Sequence, residues 1–156
     1  MLLKSVIFLV AALLITMFVK GWWSHKGSAP GLHNGQLAEC PDTPNCINSE
    51  SYSPETRADA KVDPVPLPDK PLSELQLDII NTLDRMGAGN PEWQGHYLAT
   101  RFTSLIFRFV DDFELRIDES EGLLHIRSAS RVGKSDFSVN RKRYDAFRAH
   151  LTEAGW

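Results

Sequence analysis

The chain has only two cysteines, no excess of positive charge and no second long apolar run. Each shortage excludes something. A formal net charge of −3 lacks the basic character that a nucleic-acid partner requires, so none is expected. A length of 156 residues leaves room for one domain. The absence of any internal repeat excludes a solenoid or a propeller. Proline is nearly missing from the second half: apart from Pro91, every proline lies at or before Pro71. The chain therefore reads as a loop-rich entry followed by a compact second half.

The single apolar run occupies residues 5–19, SVIFLVAALLITMFV, uncharged and flanked by Lys4 and Lys20. About fifteen residues is short for a spanning helix, which needs ~17–25. Lys4 can snorkel, letting Leu2 and Leu3 extend the span. Trp22 and Trp23 follow where an interfacial aromatic belt belongs. These features predict a retained membrane anchor over residues 1–20, with a cleaved signal peptide and a buried core helix as alternatives. A signal peptide wants a small-residue cleavage site. Lys20-Gly21 lacks one, and Pro30 obstructs the nearest candidate, Gly27-Ser28-Ala29. No Cys follows the run closely, so a lipid-modified N-terminus is not expected. Residues 21–36 read as a flexible tether, and residues 37–156 as a single domain.

Cys40 and Cys46 bracket a Pro-rich loop, CPDTPNC. A disulfide, two free thiols and a metal site are the possible readings. With only a distant His33 beside them, the two Cys fall short of four zinc ligands, and no metal or cofactor is expected. A disulfide places the domain in an oxidising compartment. Lys20, His25 and Lys26 behind the apolar run weakly favour the cytoplasmic side, but the cysteines outweigh them. The expectation is a single-pass protein with an extracytoplasmic domain.

Within the domain, residues 37–55 read as irregular and residues 60–67 as a short edge strand, since Pro64 and Pro66 bar a central one. Leu72, Leu75, Ile79, Leu83 and Met86 recur at helical spacing. Ser73 and Gln76 suggest a capping box, and Gly87 suits the C-terminal cap. Strands are expected over 96–103, 108–118 and 123–131. Phe113, Leu115 and Ile117 point inward in the second of these. In the third, Leu124 and Ile126 point inward while His125 and Arg127 point outward. A closing helix over 140–154 buries Tyr144, Phe147, Leu151 and Ala154 on one face. The order β-α-β-β-β-α implies an α+β domain, a mainly antiparallel sheet with helices on one face.

Residues 127–143 form a basic stretch in an acidic protein. Arg141, Lys142 and Arg143 sit at a helix N-terminus, where the macrodipole disfavours positive charge. Such a broken local rule often marks a site. Arg127, Ser128, Ser130, Arg131, Ser135, Asp136, Asn140, Arg141 and Arg143 are therefore candidates for binding an anion such as a lipid headgroup. The rival is a structural network with Asp111, Asp112, Asp136 and Asp145. Catalysis is a third reading, but Ser128, Ser130 and Ser135 have only His125 near in sequence, and His96 and His150 are no better placed. No catalytic residue is assigned. Asp111, Asp112 and Glu114 lack the spacing of a known calcium loop.

CPDTPNC, the run over 107–112 (FRFVDD) and RSASRVGKSDFSVNRKR together resemble the domain-of-unknown-function family 1499 of bacteria and plastids, from about Cys40 to the C-terminus. The family pattern carries Gly where this chain has Ser138. The resemblance implies an envelope-associated domain behind a signal or anchor, and no reaction. The expected function is a non-enzymatic, membrane-anchored binding or scaffolding module. An envelope hydrolase or transferase and a purely structural subunit are the alternatives.

Overall fold

The apolar run lies on α1 (Leu2–Ser24). The computed structural model describes residues 2–50 and 58–156. After α1 come β1 (Leu32–His33), β2 (Gln36–Leu37), β3 (Cys46–Asn48), β4 (Val65–Pro66), α2 (Leu72–Arg85), β5 (Glu92–Gln94), β6 (Tyr97–Thr103), β7 (Val110–Asp118), β8 (Leu123–Ser130) and α3 (Val139–Glu153). With 23 residues, α1 reaches ~35 Å at 1.5 Å per residue, more than the ~30 Å hydrocarbon layer of a bilayer. It is long and apolar enough to cross a membrane.

The main sheet has the order β3-β8-β7-β6-β5, and β4 pairs β8 beside β3. Every strand pair is antiparallel. This is the expected α+β architecture. Helices α2 and α3 cover one face. There Leu75, Ile79, Leu83, Phe147 and Leu151 pack on Leu98, Phe113, Leu115, Ile117, Leu124 and Ile126. Phe113 meets the Phe147 ring edge-on at 5.2 Å. Burial of this apolar set, at ~25 cal/mol per Å², supplies the main folding drive.

The other face is not left to solvent. Leu37 and Ala38 are buried against it. The β1–β2 hairpin lies over it, fastened by Gly31 N donating to Glu114 (3.0 Å), Leu37 N to Glu50 (2.8 Å) and Asn48 Nδ2 to the Ala38 carbonyl (2.9 Å). Cys40 and Cys46 are joined in a disulfide, with a Cα–Cα distance of 5.6 Å.

Several local expectations change. Residues 21–36, expected as a tether, hold the end of α1 and the β1–β2 hairpin. The irregular stretch contains β3, and its last part, 51–55, lies outside the described residues. Ser73 does not cap α2. Pro71 is the N-cap, with no side-chain hydrogen bond, and its carbonyl takes the amides of Glu74 and Leu75. Gln76 instead donates to the Gly95 carbonyl at 3.0 Å. Gly87 does end α2, at φ +75°. His125 and Arg127, expected to face outward, are only 5% exposed. Their strand alternates as predicted, but the face they occupy is covered.

Candidate functional site

On the helix-covered face, the amide of Asn140 organises the start of α3. Its Oδ1 accepts from Ser128 Oγ (2.5 Å) and Arg143 Nη1 (2.6 Å). Its Nδ2 donates to the Asn45 carbonyl (2.9 Å), Ser130 Oγ (3.1 Å) and Asp136 Oδ2 (2.8 Å). Arg143 continues to Asp111 at 2.8 Å and stacks over the Phe102 ring at 4.5 Å. Asp136 also caps α3, taking the amides of Ser138 (3.0 Å) and Asn140 (2.8 Å). A carboxylate at this helix end offsets the basic residues that follow it.

On the opposite face a layer of ion pairs runs along β7 and β8. Arg127 meets the fully buried Glu114 at 2.5 Å, and Tyr97 donates to the same carboxylate at 2.8 Å. Burial and the Glu114 charge hold the Tyr97 phenol well above its usual range. Arg131 grips Asp112 through Nε (3.0 Å) and Nη2 (2.7 Å). Arg116 joins Glu50 and Asp118. Hydrogen bonds from Ser120 and from the Glu121 amide, with Arg116, hold the Asp118 carboxyl well below the ordinary range.

The basic stretch is thus divided. Ser128, Ser130, Asp136, Asn140 and Arg143 meet at the start of α3. Arg127 and Arg131 lie across the sheet. Arg141 stands apart, donating to the carbonyls of Asp59 (2.8 Å) and Lys61 (2.9 Å). The reason is the strand's period of two, which sends neighbouring residues to opposite faces. Asp111 is separated from Asp112 and Glu114 in the same way, so the three do not converge as calcium ligands. His125 lies across the sheet from Ser128 and Ser130. Among the described residues, no histidine is hydrogen-bonded to a serine hydroxyl.

A second feature lies at the junction of α1 and the domain. The end of α1 packs on the loop between β6 and β7. Phe18 meets Phe107 at 5.2 Å, Ser24 Oγ accepts the Val110 amide at 3.0 Å, and His25 Nε2 donates to the Arg108 carbonyl at 2.9 Å. Arg131 reaches back to the carbonyls of Ser24 (3.2 Å) and Gly27. Between α1 and the domain runs a groove of about 260 Å3. Met17, Phe109, Val132, Phe137 and Val139 make it mainly apolar, and Lys20, Ser104, Asp111, Ser130, Ser135 and Asp136 supply its polar atoms. Leu105, Ile106 and Phe137 are 92%, 71% and 86% exposed beside it. The only sequence signal for this junction was apolar residues in a loop, Leu105 to Phe107, where turns are normally polar.

No curated protein and no solved structure matches the chain. A family described as "Protein of unknown function (DUF1499)" matches residues 36–151, which hold β2 through most of α3, both polar nests and the cysteine loop. The chain belongs to this family.

Proposed function

We propose that the protein is a non-enzymatic membrane module whose domain sits on the extracytoplasmic surface and receives an anionic lipid in the groove between α1 and the domain. The groove carries this reading. It is built by the anchor and the domain together, at the level where the apolar run of α1 ends. Its apolar walls suit an acyl chain, while the Lys20 ammonium and the Ser135 hydroxyl suit a phosphate. Two of the serines singled out for anion binding, Ser130 and Ser135, line it, whereas Arg127, Arg131 and Arg143 are already paired with acids. The disulfide supports the extracytoplasmic side, because such bonds persist where the medium is oxidising.

Retention of α1 is part of the proposal. Cleavage after residue 20 or residue 29 would remove Lys20 from the groove, and the later cut would also remove Ser24 from Val110 and Arg131. Native mass spectrometry of the full chain in mild detergent tests the reading. The wild type should carry lipid adducts enriched in anionic species. Val132→Trp, which fills the groove, should lower that occupancy several-fold. Lys20→Glu should remove the preference for anionic lipid. Equal lipid content in wild type and Val132→Trp would sink the proposal.

A further inference from the structure

We propose that Asp118, Glu121 and His125, at the turn between β7 and β8, form a binding site for a zinc-type divalent cation. The site is independent of the lipid groove. Strand β7 runs from Val110, which touches α1, to Asp118. Eight residue steps at ~3.3 Å put the turn about 26 Å from that contact, at the far end of the sheet.

His125 carries the argument. Its side chain is 7% exposed, yet among the described residues neither ring nitrogen has a hydrogen-bond partner. A buried imidazole with both nitrogens unsatisfied is costly and calls for an explanation. Its Nε2 lies 3.8 Å from Glu121 Oε2 and 4.0 Å from Glu50 Oε1. Both distances are too long for a hydrogen bond, which needs ~3.2 Å or less. They are close to the separation of two ligand atoms on one metal ion. Bonds of ~2.0–2.2 Å in a tetrahedral shell place donors roughly 3.3–3.6 Å apart. Ligand atoms of Asp118, Glu121 and His125 all lie within 4.8 Å of one another. A rotation of Glu121, whose side chain is 60% exposed, closes the remainder.

Charge and donor type agree. Among the described residues, Glu50 and Asp118 share one arginine, Arg116, and Glu121 adds a third carboxylate, so a divalent ion offsets the excess negative charge. Imidazole with carboxylates suits zinc and its neighbours, whereas calcium takes six to eight oxygens. Arg116 does not bar the ion. It bonds Glu50 through Nε at 3.1 Å and again through Nη2, so it stays paired when Asp118 turns an oxygen to the metal. All three ligands come from one hairpin, with two residues and then three between them. The ion would pin that turn.

The test uses the full untagged chain in detergent, stripped with a chelator and titrated with zinc chloride by calorimetry and by thermal melting. One zinc per chain should bind, and the melting temperature should rise until the site saturates. Glu121→Gln, on the surface, should keep the metal-free melting temperature and weaken zinc by at least about tenfold. His125→Gln should do the same to zinc, with metal-free melting reporting whether it folds. Calcium should not compete. Absence of saturable zinc binding, binding unchanged in Glu121→Gln, or equal response to calcium would each overturn the site.

Discussion

Gly21 of α1 lies against the carbonyl oxygen of Phe107, and a β-carbon at position 21 would stand 1.7 Å from it. Only glycine lets α1 approach the β6–β7 loop this closely. Gly21→Val is therefore expected to push α1 off the loop. Overpacking of this kind costs about 1–3 kcal/mol. Hydrogen exchange should rise at the Val110 amide, which Ser24 Oγ holds at 3.0 Å, and stay unchanged in α2. Unaltered protection at Val110 would show that α1 and the domain are not coupled there.

The arginines of the basic stretch should divide by their partners. Arg131→Ala leaves Asp112, 4% exposed, without its counter-ion. Breaking a buried pair costs about 3–5 kcal/mol. Arg141→Ala loses two hydrogen bonds to exposed backbone carbonyls, worth about 1 kcal/mol each. Inorganic phosphate should leave the wild-type melting temperature unchanged, since Arg127, Arg131 and Arg143 are already paired. Urea unfolding of the wild type and the two variants, with thermal melting of the wild type with and without phosphate, measures all of this. A neutral Arg131→Ala with a phosphate-stabilised wild type would restore the guanidinium groups as an anion site.

Acid should act through Asp118. Its carboxyl is held below the ordinary range, chiefly by Ser120 and the Glu121 amide, and Asp78 is lowered by Lys70. Groups with depressed folded values add stability that is complete above the unfolded value, about 3.9 for Asp. That stability is lost as pH falls through the folded value. Between pH 5 and pH 2.5 the wild type should lose more stability than Asp118→Asn. Parallel losses in the two proteins would remove Asp118 from the acid response.

The long elements were legible because their apolar residues repeat. Leu75, Ile79 and Leu83 mark α2, and Phe113, Leu115 and Ile117 mark β7. Strands β3 and β5, of three residues each, are too short to show a period. The expected outward direction of His125 and Arg127 failed for another reason. Alternation assigns residues to two faces, but it does not say whether a distant segment covers the second. Here Leu37, Ala38 and Glu50 cover it, and polar partners make that burial tolerable. The same alternation split a stretch that looked continuous in sequence, so proximity along β8 misled where proximity in space was needed.

Ser138 begins α3 with φ at +63°, and its side chain makes no capping bond. The left-handed region costs a residue with a β-carbon roughly 1–2 kcal/mol. Glycine escapes that cost but loses more entropy on folding. Ser138→Gly should therefore stabilise by about 1 kcal/mol or less, visible as a higher urea midpoint at unchanged slope. Destabilisation would mean that the Ser138 hydroxyl has a role in the turn.

Leu105 and Ile106 are exposed at the tip of the loop whose Phe107 touches Phe18, a residue inside the apolar run. With α1 in a bilayer, that contact sets the tip beside the headgroup layer, where apolar side chains leave water at a gain of ~25 cal/mol per Å². An environment-sensitive dye on Ile106→Cys should report an apolar setting in liposomes, and the native cysteines, tied as a disulfide, will not compete for it. The same dye on Leu77→Cys, at an exposed position on α2, should report water. Leu105→Asp together with Ile106→Asp should leave the melting temperature in detergent unchanged, because neither side chain packs in the core. In liposomes it should make the loop more accessible to soluble protease. Equal, water-like emission from positions 106 and 77 would mean that the domain stands clear of the membrane, and the groove at its base would then have to be filled from the aqueous side.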